Sequence, residues 1–202
     1  MAAEHAQVFI QAGHEGRTSG STGAEGPLGR EIDWTPIVAD AATTALRNAG
    51  ITVIRKSADN LNRDGYDVDL AFFIHFDGDS PACRSGASIG YDNDSDAPAA
   101  NAWKALYSRY WPYRWMNDNF TENEHHYYGF RVTRTRDAEL LLELGEITCP
   151  EQARWLKPRL RWIGQLLAHF AASRLGNHNV PLPAMLSEQE LVAAAQADMR
   201  SG

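Results

Sequence analysis

Cysteine is scarce in this chain: Cys83 and Cys149 are the only two in 202 residues. Two cysteines exclude a disulfide-rich scaffold and a cysteine-built zinc site. One bridge between them fits the count, but two reduced thiols are the expected state in a cytosolic protein. Long apolar runs are missing too. No stretch approaches the ~18 apolar residues of a membrane span, so the reading carries no membrane span. Basic charge is in deficit, with Lys+Arg 19 against Asp+Glu 26 and a formal net charge of −7. A phosphate backbone is bound by a basic field, so the balance argues against a nucleic-acid partner. There is no internal repeat and no low-complexity tract. The start lacks the pattern of a basic region followed by an apolar one, because Met1 to Gln7 is acidic to neutral and runs straight into Val8-Phe9-Ile10. The expectation is synthesis in the cytoplasm without a signal peptide.

What is present is an ordinary globular composition, 44% hydrophobic and 22% charged, enough for one domain with its own core. Gln7 to Ala12 reads as a buried strand, followed by a Gly-rich loop from Gly13 to Arg30. Glu31 to Ala49 has apolar residues at helical spacing, with Gly50 as its stop. Ile51 to Ile54 and Leu70 to Ile74 read as strands, and Ser85 to Tyr91 as a fourth. Asp96 is expected to cap a helix whose second residue is Pro98. Residues 112–129 read as an aromatic loop, Phe130 to Thr133 as a short strand, and Leu140 to Leu144 as a buried one. Pro150 opens a long helix through Phe170. Apolar strands alternating with helices predict an α/β fold: a single domain with a twisted, mainly parallel β-sheet covered by helices on both faces. The domain is expected to span residues 1–175. Residues 176–202 read as a linker and a short C-terminal helix opened by the capping box Ser187 to Glu190.

Ligands of open α/β sheets bind at the carboxyl ends of the strands, and three metal-capable side chains fall there. His14 follows the first strand between glycines, although a His-Gly loop alone is also an ordinary loop. Glu31 opens the first helix, where a carboxylate also serves the helix dipole. His75 ends the Leu70–Ile74 strand, where a structural histidine is the alternative. Glu143 lies inside an apolar strand, and a buried carboxylate is expensive unless paired or functional. Its structural alternative is an ion pair with Arg134 or Arg136. Two histidines and one carboxylate are a common zinc ligand set that leaves one position open, and that mix favours zinc over magnesium or calcium. A further carboxylate is then available for the proton transfers of amide hydrolysis.

These segments resemble the zinc-dependent N-acetylmuramoyl-L-alanine amidases of the Amidase_3 type. The resemblance rests on Gln11-Ala-Gly-His14-Glu-Gly, Gly29-Arg-Glu31, Phe73-Ile-His75-Phe-Asp77 and Leu142-Glu143-Leu-Gly145, in the family's order, and spans residues 7 to 172. It implies zinc ligands His14, Glu31 and His75, and a catalytic Glu143. It also implies cleavage of the amide between the lactyl group of N-acetylmuramic acid and L-alanine in bacterial peptidoglycan. The chain departs from the family pattern at Phe73, Asp77, Glu146 and Cys149. Asp77, His125 and His126 are candidates for the substrate groove, while His5, His169 and His178 read as incidental. The expected role is that of a phage or prophage endolysin, a monomer reaching the wall after release by a holin-type factor or lysis. The alternatives are a zinc carboxypeptidase-like peptidase and a non-catalytic wall-binding domain on the same fold.

Overall fold

The computed structural model describes residues 6–18, 20–58 and 65–199; His5 lies outside them. Its main sheet has five strands in the order β4-β1-β5-β7-β6. These are β1 (Val8–Ala12), β4 (Val53–Ser57), β5 (Tyr66–Asp77), β6 (Ser88–Gly90) and β7 (Thr133–Glu146). β4, β1, β5 and β7 run parallel, and the short edge strand β6 is antiparallel to β7. The helices are α1 (Glu31–Asn48), α2 (Ala97–Tyr107), α3 (Glu122–His125), α4 (Pro150–Leu156), α5 (Leu160–Arg174) and α6 (Glu188–Met199). This is the expected α/β class with a mainly parallel sheet.

Side chains alternate across each strand, and the alternation separates two cores. Val8, Ile10, Leu70, Phe72, Ile74, Leu140 and Leu142 face the large core with residues of α1, α2, α4 and α5. Phe9, Ala71, Phe73 and Leu141 face a smaller core closed by Phe130 and Tyr127. Here a one-turn 3-10 helix, Tyr128–Arg131, covers the sheet. The smaller core leaves the carboxyl ends of β5 and β7 less deeply covered, and the polar residues of the site emerge there.

α1 ends as its sequence dictates. Gly50 adopts φ 79°, its N–H bonds the Arg47 carbonyl, and the Ile51 N–H bonds that of Leu46. That pairing satisfies carbonyls the helix cannot. Gly164 lies against the Val38 carbonyl of α1, where a Cβ would collide, so α5 packs close to α1.

Several sequence expectations change. The Gly13–Arg30 loop contains a small hairpin, β2 (Glu25–Gly26) and β3 (Gly29–Arg30). Residues 112–129 include α3, capped by the Thr121 hydroxyl accepting from the Glu124 N–H. The Phe130 to Thr133 segment is mostly the 3-10 turn, and β7 starts only at Thr133 and runs 14 residues. The long helix from Pro150 breaks into α4 and α5 at a 3-10 turn, Lys157–Arg159, where Pro158 lacks the N–H that a helix would use. Asp96 is buried and makes no side-chain cap; Asn93 caps the preceding 3-10 turn instead. The Ser187 to Glu190 capping box forms as written, with the Glu190 carboxylate accepting from the Ser187 N–H and hydroxyl. Beyond Gly176 the chain returns to α5, where the Trp162 indole donates to the Ala184 carbonyl. No helix among the described residues is long and apolar enough to cross a membrane.

The cysteines are also corrected. Cys83 and Cys149 form a disulfide across 66 residues. It ties the loop after β5 to the turn after β7. Glu146 reinforces the same junction, its carboxylate accepting from the Cys83 N–H (2.6 Å), the Ser85 N–H (2.9 Å) and the Thr148 hydroxyl (2.7 Å). A count of two favours free thiols, and sequence alone does not show that two distant loops share one rim. Replacing both cysteines by alanine is expected to lower unfolding free energy by about 2–4 kcal/mol. Denaturant melts of the variant, and of the wild type with and without reductant, check this.

Candidate metal centre

Three elements deliver the candidate ligands to one point. β1 pairs with β5 so that the Gly13 N–H extends the ladder to the Ile74 carbonyl, which sets His14 beside His75. Gly13 has no side chain because the His75 ring occupies the space a Cβ would take. His14 has φ 61°, a left-handed conformation uncommon outside glycine and often found at functional sites. The Thr35 hydroxyl of α1 holds this turn by donating to the Gly13 carbonyl at 2.6 Å.

Glu31, the first residue of α1, is 3% exposed. Its Oε2 accepts from the Ala24 N–H at 2.9 Å, and Oε1 from the Phe76 N–H at 3.1 Å. The same Oε1 is 2.9 Å from His75 Nδ1 and 3.4 Å from His14 Nε2. The site places one ligand atom each from His14, Glu31 and His75 within 4.8 Å of one another. Burial pushes the Glu31 pKa up, but its bonds to the two histidines outweigh that and bring it down to about 2. Burial lowers the His14 pKa, and Glu31 more than reverses this, so the net shift is upward. The His14 Nδ1–H donates to the Ser21 carbonyl at 3.0 Å, so Nε2 is the nitrogen that faces Glu31.

Glu143 lies one strand away. Register pairs it with His75 on β5 and with Ser88 on β6, so His75, Glu143 and Ser88 form one row on the smaller-core face. Arg134 and Arg136 pair instead with Asp67 and Asp69, so the ion-pair explanation for Glu143 does not hold. Its Oε2 is closed off from solvent and has no hydrogen-bond partner among the described residues. Burial, with the charges of Glu31, Asp77 and Glu124 added, holds its pKa far above the usual carboxylate range. An orphaned, buried carboxylate oxygen amid like charges, beside two imidazoles and a carboxylate on convergent atoms, fits a divalent cation at His14, Glu31 and His75.

The proposed groove residues are spread out. Asp77 ends β5, and burial raises its pKa. The His125 Nδ1–H donates to the Tyr91 carbonyl, and His126 faces Glu122 at 3.6 Å on an exposed helix end. Sequence reasoning missed Gln11, Tyr127, Ser88 and Glu124. Gln11 was the one readable signal, a fully buried amide inside an otherwise apolar strand. Glu124 lies beneath Ser88, accepts from its hydroxyl at 3.1 Å, and is raised by burial to about 7.

No family model matches the sequence, and no curated protein matches it. Solved structures do. The catalytic domain of CwlV, an N-acetylmuramoyl-L-alanine amidase from Bacillus (Paenibacillus) polymyxa, superposes with TM-score 0.63 at 16% identity, covering 85% of this chain and 99% of that one. An N-acetylmuramoyl-L-alanine amidase from Clostridium difficile 630 gives TM-score 0.63 at 16% identity, covering 87% and 100%. The catalytic domain of the CD27L endolysin, which targets Clostridia difficile, gives TM-score 0.63 at 15% identity, covering 84% and 98%. The chain therefore has the fold of N-acetylmuramoyl-L-alanine amidase catalytic domains.

His14→Ala and Glu31→Gln are each expected to weaken divalent-metal binding by more than about 100-fold, as measured by chelator competition. Glu31 also predicts an acid limb in the metal-free protein. A carboxylate lowered from 4.5 to about 2 adds stability above the upper value and loses it as pH falls through the lower one. Melts across that window are expected to show a flatter limb for Glu31→Gln than for the wild type.

Proposed function

We propose that this chain is a zinc-dependent hydrolase of peptidoglycan that cleaves the amide between the lactyl group of N-acetylmuramic acid and L-alanine. The observation that carries the reading is the row His75–Glu143. The unpaired Glu143 Oε2 lies one strand from a converged His14–Glu31–His75 set, on a fold shared with amidase catalytic domains. A zinc ion bound there would supply Lewis acidity toward the scissile carbonyl. His14 Nε2 and His75 Nδ1 converge on Glu31; they would hold the ion as neutral imidazoles, and Glu31 would bring the negative charge that these lack. Glu143 takes a proton from the attacking water and returns it to the leaving nitrogen, which departs poorly until protonated.

The reading extends to place and partner. Likeness to an endolysin catalytic domain supports a lytic role on the bacterial wall, with release by a holin-type factor or lysis. The Cys83–Cys149 bridge supports work in an oxidising compartment. The net charge of −7 is unfavourable near an anionic wall, so binding depends on the local groove.

Zinc-loaded protein is expected to clear a suspension of purified walls and to expose new L-alanine N-termini. Release of C-terminal residues would instead support the peptidase alternative. Glu143→Ala is expected to reduce the clearing rate by about 10²–10⁴-fold while retaining the wild-type zinc content. Clearing by Glu143→Ala at the wild-type rate would remove Glu143 from the mechanism.

A further inference from the structure

The far side of His75 is held as carefully as its ligand side. Its Nε2 lies 3.1 Å from the Tyr127 hydroxyl, opposite the Nδ1 that faces Glu31. That hydroxyl donates to Gln11 Oε1 at 2.9 Å, so its single proton is committed and a lone pair remains for His75. Gln11 has its own orientation fixed. Its Nε2 donates to the Tyr128 hydroxyl at 3.0 Å, to which the Arg17 guanidinium also donates at 3.3 Å. The Tyr128 hydroxyl sends its proton to the Ala58 carbonyl at 3.4 Å. Arginine can only donate and a carbonyl can only accept, so the two contacts at Tyr128 set the direction of the chain. Followed inward, every donor and acceptor of the relay is assigned, and Tyr127 offers only a lone pair to His75 Nε2.

We infer that Tyr127 is a positioning residue. Through the relay Arg17–Tyr128–Gln11–Tyr127 it fixes His75 as the Nε2–H tautomer and keeps the Nδ1 lone pair on the metal position. The inference rests on the metal reading above and names residues outside the ligand set. An imidazole ligand generally needs its second nitrogen held, and loss of such a partner costs about 10–100-fold in metal affinity. Tyr127 can act this way because its ring is locked edge-on against Phe73 and Phe130. Gln11 is fully buried and does not exchange its partners for solvent. The aromatic loop therefore serves the metal centre through one hydroxyl.

The test measures zinc affinity by chelator competition in the wild type, Tyr127→Phe, Gln11→Leu and the double variant. Tyr127→Phe keeps the ring, so the fold is expected to persist, with a modest drop in melting temperature from the unpaired Gln11 oxygen, while the zinc dissociation constant rises about 10–100-fold. Gln11→Leu, which touches no ligand, is expected to weaken zinc as well, because Tyr127 is then free to donate toward Nε2. The double variant is expected to lose no more than Tyr127→Phe alone, because both act through one hydrogen bond. Proton NMR is expected to show a slowly exchanging His75 Nε2–H in the wild type and fast exchange in Tyr127→Phe. Wild-type zinc affinity in Tyr127→Phe, or additive losses in the double variant, would overturn the inference. Absence of zinc binding in the wild type would instead overturn the metal reading.

Discussion

The Glu31 carboxylate is the junction on which the site depends. One buried group joins the start of α1 to the hairpin through the Ala24 N–H, to the end of β5 through the Phe76 N–H, and to both imidazoles. Burying a charge is costly unless it is paired and hydrogen-bonded, and here four groups share the task. The low Glu31 pKa of about 2 shows that these partners outweigh desolvation. Charge at this point is thus built into the fold before any ligand arrives. The same carboxylate helps raise Glu143, so one residue sets the electrostatic contrast between the ligand set and the neighbouring carboxylate.

The sheet makes that contrast directional. Apolar strands such as Leu70–Ile74 conceal a period of two. Phe72 and Ile74 enter the large core, whereas Phe73 and His75 face the other way. The polar row then falls on the less covered face, at the strand ends. Parallel pairing of β5 with β7 brings His75 and Glu143 side by side although 68 positions separate them in sequence. Three departures from the amidase pattern acquire a use in this arrangement. Glu146 and Cys149 hold the loop after β5 against the end of β7, next to the site's rim. At Phe73 the ring fills the smaller core beneath Tyr127.

Much of the architecture was legible in the amino acids. The strand–helix alternation, the Gly50 stop and the capping box at Ser187 are local signals, and all three appear. His14, Glu31, His75 and Glu143 were legible because polar side chains at strand ends or inside apolar runs conflict with their surroundings. What escaped was non-local. Tyr127 lies in an aromatic loop 52 positions from His75, and nothing in its neighbourhood distinguishes it from Tyr128. Cys83 and Cys149 carry no sign of their proximity. The break at Pro158 was readable and was overridden by the helical spacing on either side. Glu124 was hidden for the opposite reason: a one-turn helix buries a residue that composition alone assigns to solvent.

His14 Nε2, Glu31 and His75 Nδ1 are expected to hold one metal ion beside Glu143. Anomalous diffraction at the zinc absorption edge, from crystals grown with zinc, tests it most directly. One strong peak is expected among those three side chains, beside Nε2 of His14 and Nδ1 of His75. A peak elsewhere, or none at this position, would contradict it.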